Sequence, residues 1–289
     1  MGKVMLVFGH GYSAAALSRQ LLDDGWRVIG TTRSQDKLDA MTAMGVEARI
    51  WPGRDLSDDL AAASHILLSA APGEAGDPVL LALGDQIAAQ AGRLDWLGYL
   101  STTAVYGDHQ GGWVDEATAL TPATKRGQWR VAAEAAWGAL ASRTGLALHI
   151  FRLAGIYGPG RGPFAKVRAG TARRIIKHGQ VFSRIHVADI AQVLHASINA
   201  PDSGAIYNLC DDLAAAPEDV IGLAAEMLGL PMPETVAYDT AEMTPMARSF
   251  YAESKRVRND RIKDELGVKL IYPTYREGLQ ALLEDESSG

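Results

Sequence analysis

The amino-acid sequence predicts an α/β protein, a doubly wound parallel sheet with a smaller, mainly helical C-terminal lobe. Three observations carry that prediction. Val4 to Phe8 is a short unbroken apolar run, the pattern of a strand buried on both faces. Directly after it come Gly9, Gly11 and Ala14 at the spacing G-x-G-x-x-A, and the periodicity turns helical. Apolar runs of strand length then alternate with helical stretches as far as Arg152, the rhythm of strand–helix–strand units with right-handed crossovers.

In the first helix Ala14, Leu17, Leu21 and Leu22 share one stripe, and Gly25 is the stop. Arg27 to Thr31 is the second strand. A helix around Asp36 to Met44 and a strand at Ala48 to Trp51 follow. His65 to Ala70 reads as a buried strand ended by Pro72 and Gly73, and Pro78 to Ala91 as a long apolar helix. Leu97 to Ser101 and Leu146 to Arg152 complete the run. Gly155 to Phe164 is a glycine- and proline-rich loop of the kind that lines a site. A basic helix with Arg168, Arg173, Arg174 and Lys177 is expected next, its charges either solvated or facing an anion. Arg184 to Ile198 returns as strand and helix, and Ala205 to Asp212 as a strand. From Pro217 the chain reads as mainly helical, with a frayed acidic tail. The sheet domain is expected over 1–157 and about 183–212, and the smaller lobe over 158–182 and 213–289.

Composition narrows the class. At 289 residues the chain can build one large domain with a smaller one inserted or appended. The net charge of −6, without a dense basic cluster, argues against nucleic-acid binding. A single cysteine, Cys210, excludes an internal disulfide and suits a reducing cytoplasm. The chain enters a strand at once, so no signal peptide is expected, and no apolar run approaches the roughly eighteen residues of a membrane span. No His, Cys or carboxylate cluster has metal-ligand spacing. A soluble cytoplasmic protein without a metal is the expectation.

Strand, glycine turn, helix and second strand together form a dinucleotide-binding fingerprint. Gly9 permits the sharp exit from the strand, Gly11 has no side chain to block a pyrophosphate, and Ala14 lets the helix pack closely. The amides around Tyr12 and Ser13, at the positive end of the helix dipole, suit phosphates. The Ser13 hydroxyl either adds a donor or caps the helix. An NAD site places a carboxylate at the end of the second strand, whereas here stand Thr32, Arg33 and Ser34. Arg33 can pair bidentately with a 2′-phosphate while Thr32 or Ser34 donates to it, so NADP is favoured over NAD. The alternatives are a turn that is only architecture and an arginine merely exposed on a loop. Ala70, Ala71 and Pro72, small residues at a strand's carboxyl end, should border the cofactor.

Four blocks, the glycine turn, "STTAVYGD" (Ser101 to Asp108), "FRLAGIYGPGR" (Phe151 to Arg161) and "RIHVADIA" (Arg184 to Ala191), run in order over most of the chain. Together they resemble the short-chain dehydrogenase/reductase superfamily, in its extended epimerase/dehydratase-like branch. The G-x-G-x-x-A turn and the shorter length make the chain similar to an atypical, YeeZ-like member. The resemblance implies that Thr102, with Ser101 beside it and bordering the cofactor, hydrogen-bonds a substrate oxygen. The acidic pair of the family's dehydratases is replaced by Thr103 and Ala104, which argues against that elimination chemistry. The resemblance also implies a Tyr-x-x-x-Lys pair on the helix after "TP". Here Arg126 stands in the place of the tyrosine and Arg130 in that of the lysine.

Arg130 can still hold the nicotinamide ribose. Arg126 cannot exchange a proton near neutral pH, since its pKa exceeds about 12, but its planar fork suits a carboxylate or phosphate. Tyr106 and Tyr157, near strand ends, are the candidate replacement donors; His186 is expected to support a turn. Tyr251 and Lys255 match the missing spacing by chance, outside the helix that should carry it. Two functions remain open. One is an NADP-dependent oxidoreductase or epimerase-like enzyme acting on a small carbonyl or hydroxyl compound, sugar-nucleotide-like compounds included; the other is a catalytically inactive NADP-binding sensor or regulator. The resemblance further implies a homodimer through Pro78 to Ala91 and Gly127 to Ala141.

Overall fold

The computed structural model describes residues 2–200 and 204–288. The chain begins β1 (Val4–Phe8), α1 (Tyr12–Asp23), β2 (Arg27–Thr32), α2 (Leu38–Ala43), β3 (Glu47–Ile50), α3 (Ser57–Ala62) and β4 (His65–Leu68). It continues through α4 (Pro78–Ala89), β5 (Trp96–Thr102), β6 (Trp113–Val114), α5 (Lys125–Thr144), β7 (Leu148–Leu153) and β8 (Gly155–Tyr157). Then come α6 (Phe164–Arg168), β9 (Arg174–Ile176), β10 (Arg184–His186), α7 (Val187–Ile198), β11 (Ile206–Leu209) and α8 (Pro217–Met227). Last are β12 (Thr235–Ala237), α9 (Pro245–Phe250), β13 (Arg256–Val257), α10 (Asp260–Asp264) and α11 (Tyr275–Ser288).

Seven strands form one parallel sheet in the order β11-β7-β5-β4-β1-β2-β3. Alternate residues of each strand feed opposite faces, as the pleat requires. Met5, Val7, Val28 and Phe151 pack with α1 and α7, while Leu6, Phe8, Ile29 and Ile150 join residues of α3, α4 and α5 on the other side. Helices therefore cover both faces, the arrangement of a doubly wound fold. Because every strand runs the same way, the loops after β1, β2, β4, β5, β7 and β11 all emerge at one carboxyl edge. A smaller core of Tyr157, Phe164, Val167, Ala224, Leu279 and Leu282 lies apart from the sheet. No described helix is long and apolar enough to cross a membrane.

Three expectations need correction. The basic stretch is a five-residue helix followed by a strand, β9, which pairs in parallel with β12 some sixty residues later. Its charges have partners inside the chain: Arg168 pairs with Glu286 at 2.5 Å, Arg174 donates to the Glu218 carbonyl, and Lys177 donates to that of Tyr251. The acidic tail is helical to Ser288 because Leu279 and Leu282 pack into the smaller core; Gly289 lies outside the described residues. The expected glycine-rich loop opens with a short strand, β8, paired to β10.

Candidate functional site

The glycine turn closes on itself before it meets anything else. Gly9 has φ +81°, and a Cβ there would stand 2.8 Å from the Ala70 backbone nitrogen, so only glycine fits beside β4. Its N–H donates to Thr31 Oγ1 at 2.9 Å, and that of His10 to the Thr31 carbonyl at 2.7 Å. Over Gly11 a Cβ would meet nothing nearer than the Gly9 carbonyl at 3.8 Å, so nothing in the fold itself demands glycine there. Gly11 is the N-cap of α1 and has no side-chain capping bond, which leaves the amides of the first turn free to face a ligand. Ser13 therefore does not cap the helix; it is buried one residue inside it. His10, unremarked in the sequence, fills the space beneath β2, where its Nε2 meets Ser18 Oγ at 3.0 Å and burial lowers its pKa to about 4.

At the end of β2, Thr32 is buried and its Oγ1 accepts the Ser34 N–H at 3.1 Å. Arg33 is exposed and, among the described residues, has neither hydrogen bond nor ion pair. Elsewhere in this part of the sheet arginines are matched: Arg27 pairs with Glu47 at 2.6 Å and Arg49 with Asp59 at 3.0 Å. Ala70, Ala71 and Pro72 line the loop after β4, with Ala70 against Gly9.

The end of β5 rests on a buried polar hub. Ser101 Oγ donates to Glu134 Oε1 at 2.5 Å, and Glu134 Oε2 pairs with Arg152 Nη2 at 2.8 Å. Arg152 also donates to the Tyr106 hydroxyl at 2.9 Å, and that hydroxyl donates to Asn208 Oδ1 at 2.6 Å. Ser101 and Tyr106 are thus walled in. Tyr106 has no exposed surface, and burial pushes its pKa up to about 12. It is closed off from the role of replacement proton donor, and the Ser101 hydroxyl is engaged by Glu134. Tyr157 is no better placed: it is buried against α11, its hydroxyl reaches the Thr274 carbonyl, and burial raises its pKa. His186 caps α7 by accepting the Ala188 N–H at 3.2 Å, in line with its expected turn-supporting role.

Thr102 is different. It is half-buried, its oxygen accepts the Ala104 N–H at 3.2 Å, and its own hydrogen is left to donate. The first turn of α5 packs on the 103–106 turn that follows Thr102. There Arg126 is exposed with no partner among the described residues. One turn on, Arg130 Nη1 donates to the Leu100 carbonyl and to the Tyr99 hydroxyl, the latter at 3.1 Å, with the guanidinium 5.5 Å from the Tyr99 ring. Tyr251 and Lys255 lie outside this helix: Lys255 Nζ donates to the Gly107 carbonyl at 2.7 Å and pairs with Glu253 at 2.6 Å, a structural strap. Among the described residues no group of three or more His, Cys, Asp or Glu side chains could hold a metal ion.

Residues 5–210 match the model of a family described as the NAD dependent epimerase/dehydratase family. Over 286 residues the chain is 32% identical to Protein YeeZ of Escherichia coli K12, covering 94% of this chain and 97% of that protein. A functionally unknown conserved protein from Silicibacter pomeroyi DSS superposes with a TM-score of 0.94 at 61% identity, over 98% of this chain and 99% of the other. UDP-glucuronic acid 4-epimerase from Bacillus cereus, solved with NAD, superposes with a TM-score of 0.77 over 99% of both chains. At 16% identity that last likeness speaks for the fold alone.

Proposed function

The chain belongs to the NAD dependent epimerase/dehydratase family, and on that premise we propose that it is an NADP-dependent oxidoreductase or epimerase-like enzyme acting on a small carbonyl or hydroxyl compound. The observation that carries this reading is the order of groups along the carboxyl edge. Thr102 ends β5, Ala70 follows β4, the open turn over Gly11 follows β1, and the unpaired Arg33 follows β2. Four neighbouring strand ends span about 14 Å, and the strand order reverses among them, where dinucleotides lie in such sheets. The cradle over Gly11 and the free amides of α1 fit a diphosphate; Arg33 fits a 2′-phosphate better than a bare ribose.

Bound NADP would supply a nicotinamide that takes or gives a hydride. The chain's residues do the rest. Thr102 donates a hydrogen bond to the substrate oxygen. Arg130, held by the Leu100 carbonyl and the Tyr99 hydroxyl, keeps a fixed positive charge at the nicotinamide ribose. Arg126 binds a substrate carboxylate or phosphate, and water at this exposed mouth exchanges the proton that a tyrosine would otherwise move. The burial of Tyr106 and Tyr157 favours a second reading, a non-catalytic NADP-binding sensor.

The cofactor common to both readings is tested first, and turnover then separates them. At a hundred times its dissociation constant, NADPH should stabilise the fold by about 2.7 kcal/mol, a rise of roughly 5–10 °C in Tm, and NADH should give much less. Arg33→Ala should weaken NADPH binding by about tenfold or more, the worth of a charge-assisted pair. Equal shifts with both nucleotides would remove Arg33 from the site. For the enzyme, Thr102→Ala should lower kcat by about a hundredfold while the NADPH melting shift is kept. For the sensor, no panel of carbonyl compounds will oxidise NADPH above background.

A further inference from the structure

Opposite the glycine turn stands a further arginine with no carboxylate partner among the described residues. The chain leaves β8 through Gly158–Pro159–Gly160–Arg161, a tight turn whose ends pair back to back, Gly158 N–H to the Arg161 carbonyl at 3.1 Å and the reverse at 2.8 Å. This turn lies against α1. The Tyr12 hydroxyl donates to the Pro159 carbonyl at 3.0 Å. Gly158 has φ +151°, and a Cβ there would come within 2.5 Å of the Tyr12 hydroxyl and 2.7 Å of Val187 Cγ1, so the loop approaches as closely as a glycine allows. The turn brings the Arg161 guanidinium to 5.3 Å from the centroid of the Tyr12 ring. Among the described residues Arg161 makes no ion pair, although Asp285 and Glu286 line the same shallow cavity; Glu286 is engaged by Arg168.

Tyr12 is the first residue of α1, next to the Gly11 cradle. A guanidinium held over its ring stands beside the helix N-terminus where the phosphates of a dinucleotide belong. We infer that Arg161 is a further binding residue, pairing with the diphosphate of the cofactor, and that the Tyr12–Pro159 hydrogen bond fixes the loop which presents it. The inference rests on the NADP reading above. It gives the cofactor's phosphates two cations with separate duties, Arg33 for the 2′-phosphate and Arg161 for the bridge between the two nucleotides.

Three ligands tell these duties apart by calorimetry on the full chain. NADPH carries both phosphate groups, ADP-ribose has the diphosphate without the 2′-phosphate, and adenosine 2′-monophosphate has the 2′-phosphate alone. Arg161→Ala should weaken NADPH and ADP-ribose by about tenfold and leave adenosine 2′-monophosphate within about twofold, at an unchanged Tm without ligand. Arg161→Lys should recover part of the loss, because charge returns without the fork. Arg33→Ala should show the opposite pattern. Unchanged ADP-ribose binding in Arg161→Ala would overturn the inference and leave the cofactor reading standing, and so would an equal loss of all three ligands. If the unaltered chain binds none of the three, the cofactor reading falls and the role of Arg161 with it.

Discussion

Replacing Glu134 by alanine should destabilise the protein by about 3–5 kcal/mol, because it strips the partner from a buried arginine. Arg152 is only 3% exposed and Glu134 5%, so water cannot take over when the carboxylate is removed. The Ser101 hydroxyl loses its acceptor in the same step. What remains to Arg152, the Tyr106 hydroxyl and the Glu116 carbonyl, offers no negative charge. Urea denaturation followed by circular dichroism measures the loss, and Tm should fall by roughly 2–4 °C per kcal/mol. The double replacement Glu134→Leu with Arg152→Met should regain most of it, since a buried pair exchanged for apolar groups of similar volume is often near neutral. A single-variant loss under about 1 kcal/mol would mean that this pair does not hold the hub together. Thr102 sits on the strand end that the hub braces, so its placement depends on the same contacts.

The second large effect has the opposite sign. Asp211, just after β11, is 3% exposed; its Oδ1 accepts the Leu213 N–H at 3.3 Å, while Oδ2 is buried without a partner among the described residues. Burial is the main cause that raises its pKa, to about 8, well above the ordinary carboxylate range; the Leu213 N–H and the nearby Arg184 only partly oppose it. A carboxyl that holds its proton more tightly when folded stabilises the fold fully below about pH 4. That contribution is lost as the pH rises toward 8. Asp211→Asn keeps the shape and removes the charge. Its gain should be near zero at pH 4 and grow to on the order of 3 kcal/mol by pH 8, once local relaxation is allowed for. Thermal melts at the two pH values read this directly. A variant that is equally stabilised, or destabilised, at both would show that the carboxyl is not titrating in the folded protein.

Much of the fold was legible because its signals are local. The strand, glycine turn and helix from Val4 to Asp23 are written in adjacent residues, and so is the absence of an acid after β2. The same holds for the replacement of the expected tyrosine by Arg126. What could not be read depends on partners far along the chain. Tyr106 looks available beside its strand end, yet Asn208, about a hundred residues later, and Arg152 close over it. Ser101 is claimed by Glu134 from the helix that follows. The basic stretch reads as a helix until β12 arrives to pair with it, a long-range pairing that overrides local preference. In the sequence Arg161 is legible only as part of a loop motif; its place over Tyr12 needs the fold to bring residues about 150 apart together.

The packing of α1 against α7 bears on how the protein is made. Ala14, Leu17 and Leu21 are covered by Ile190, Ala191 and Leu194, and His195 meets Asp24 across the same seam at 2.7 Å. On the ribosome, the first helix therefore emerges long before its cover. Until about residue 198 has been synthesised, the apolar flank of α1 faces solvent, and β7 lacks its outer neighbour until β11 follows. Early domains of many proteins fold as they emerge, but this one must wait for most of its length. The nascent chain accordingly carries exposed apolar surface for most of its synthesis.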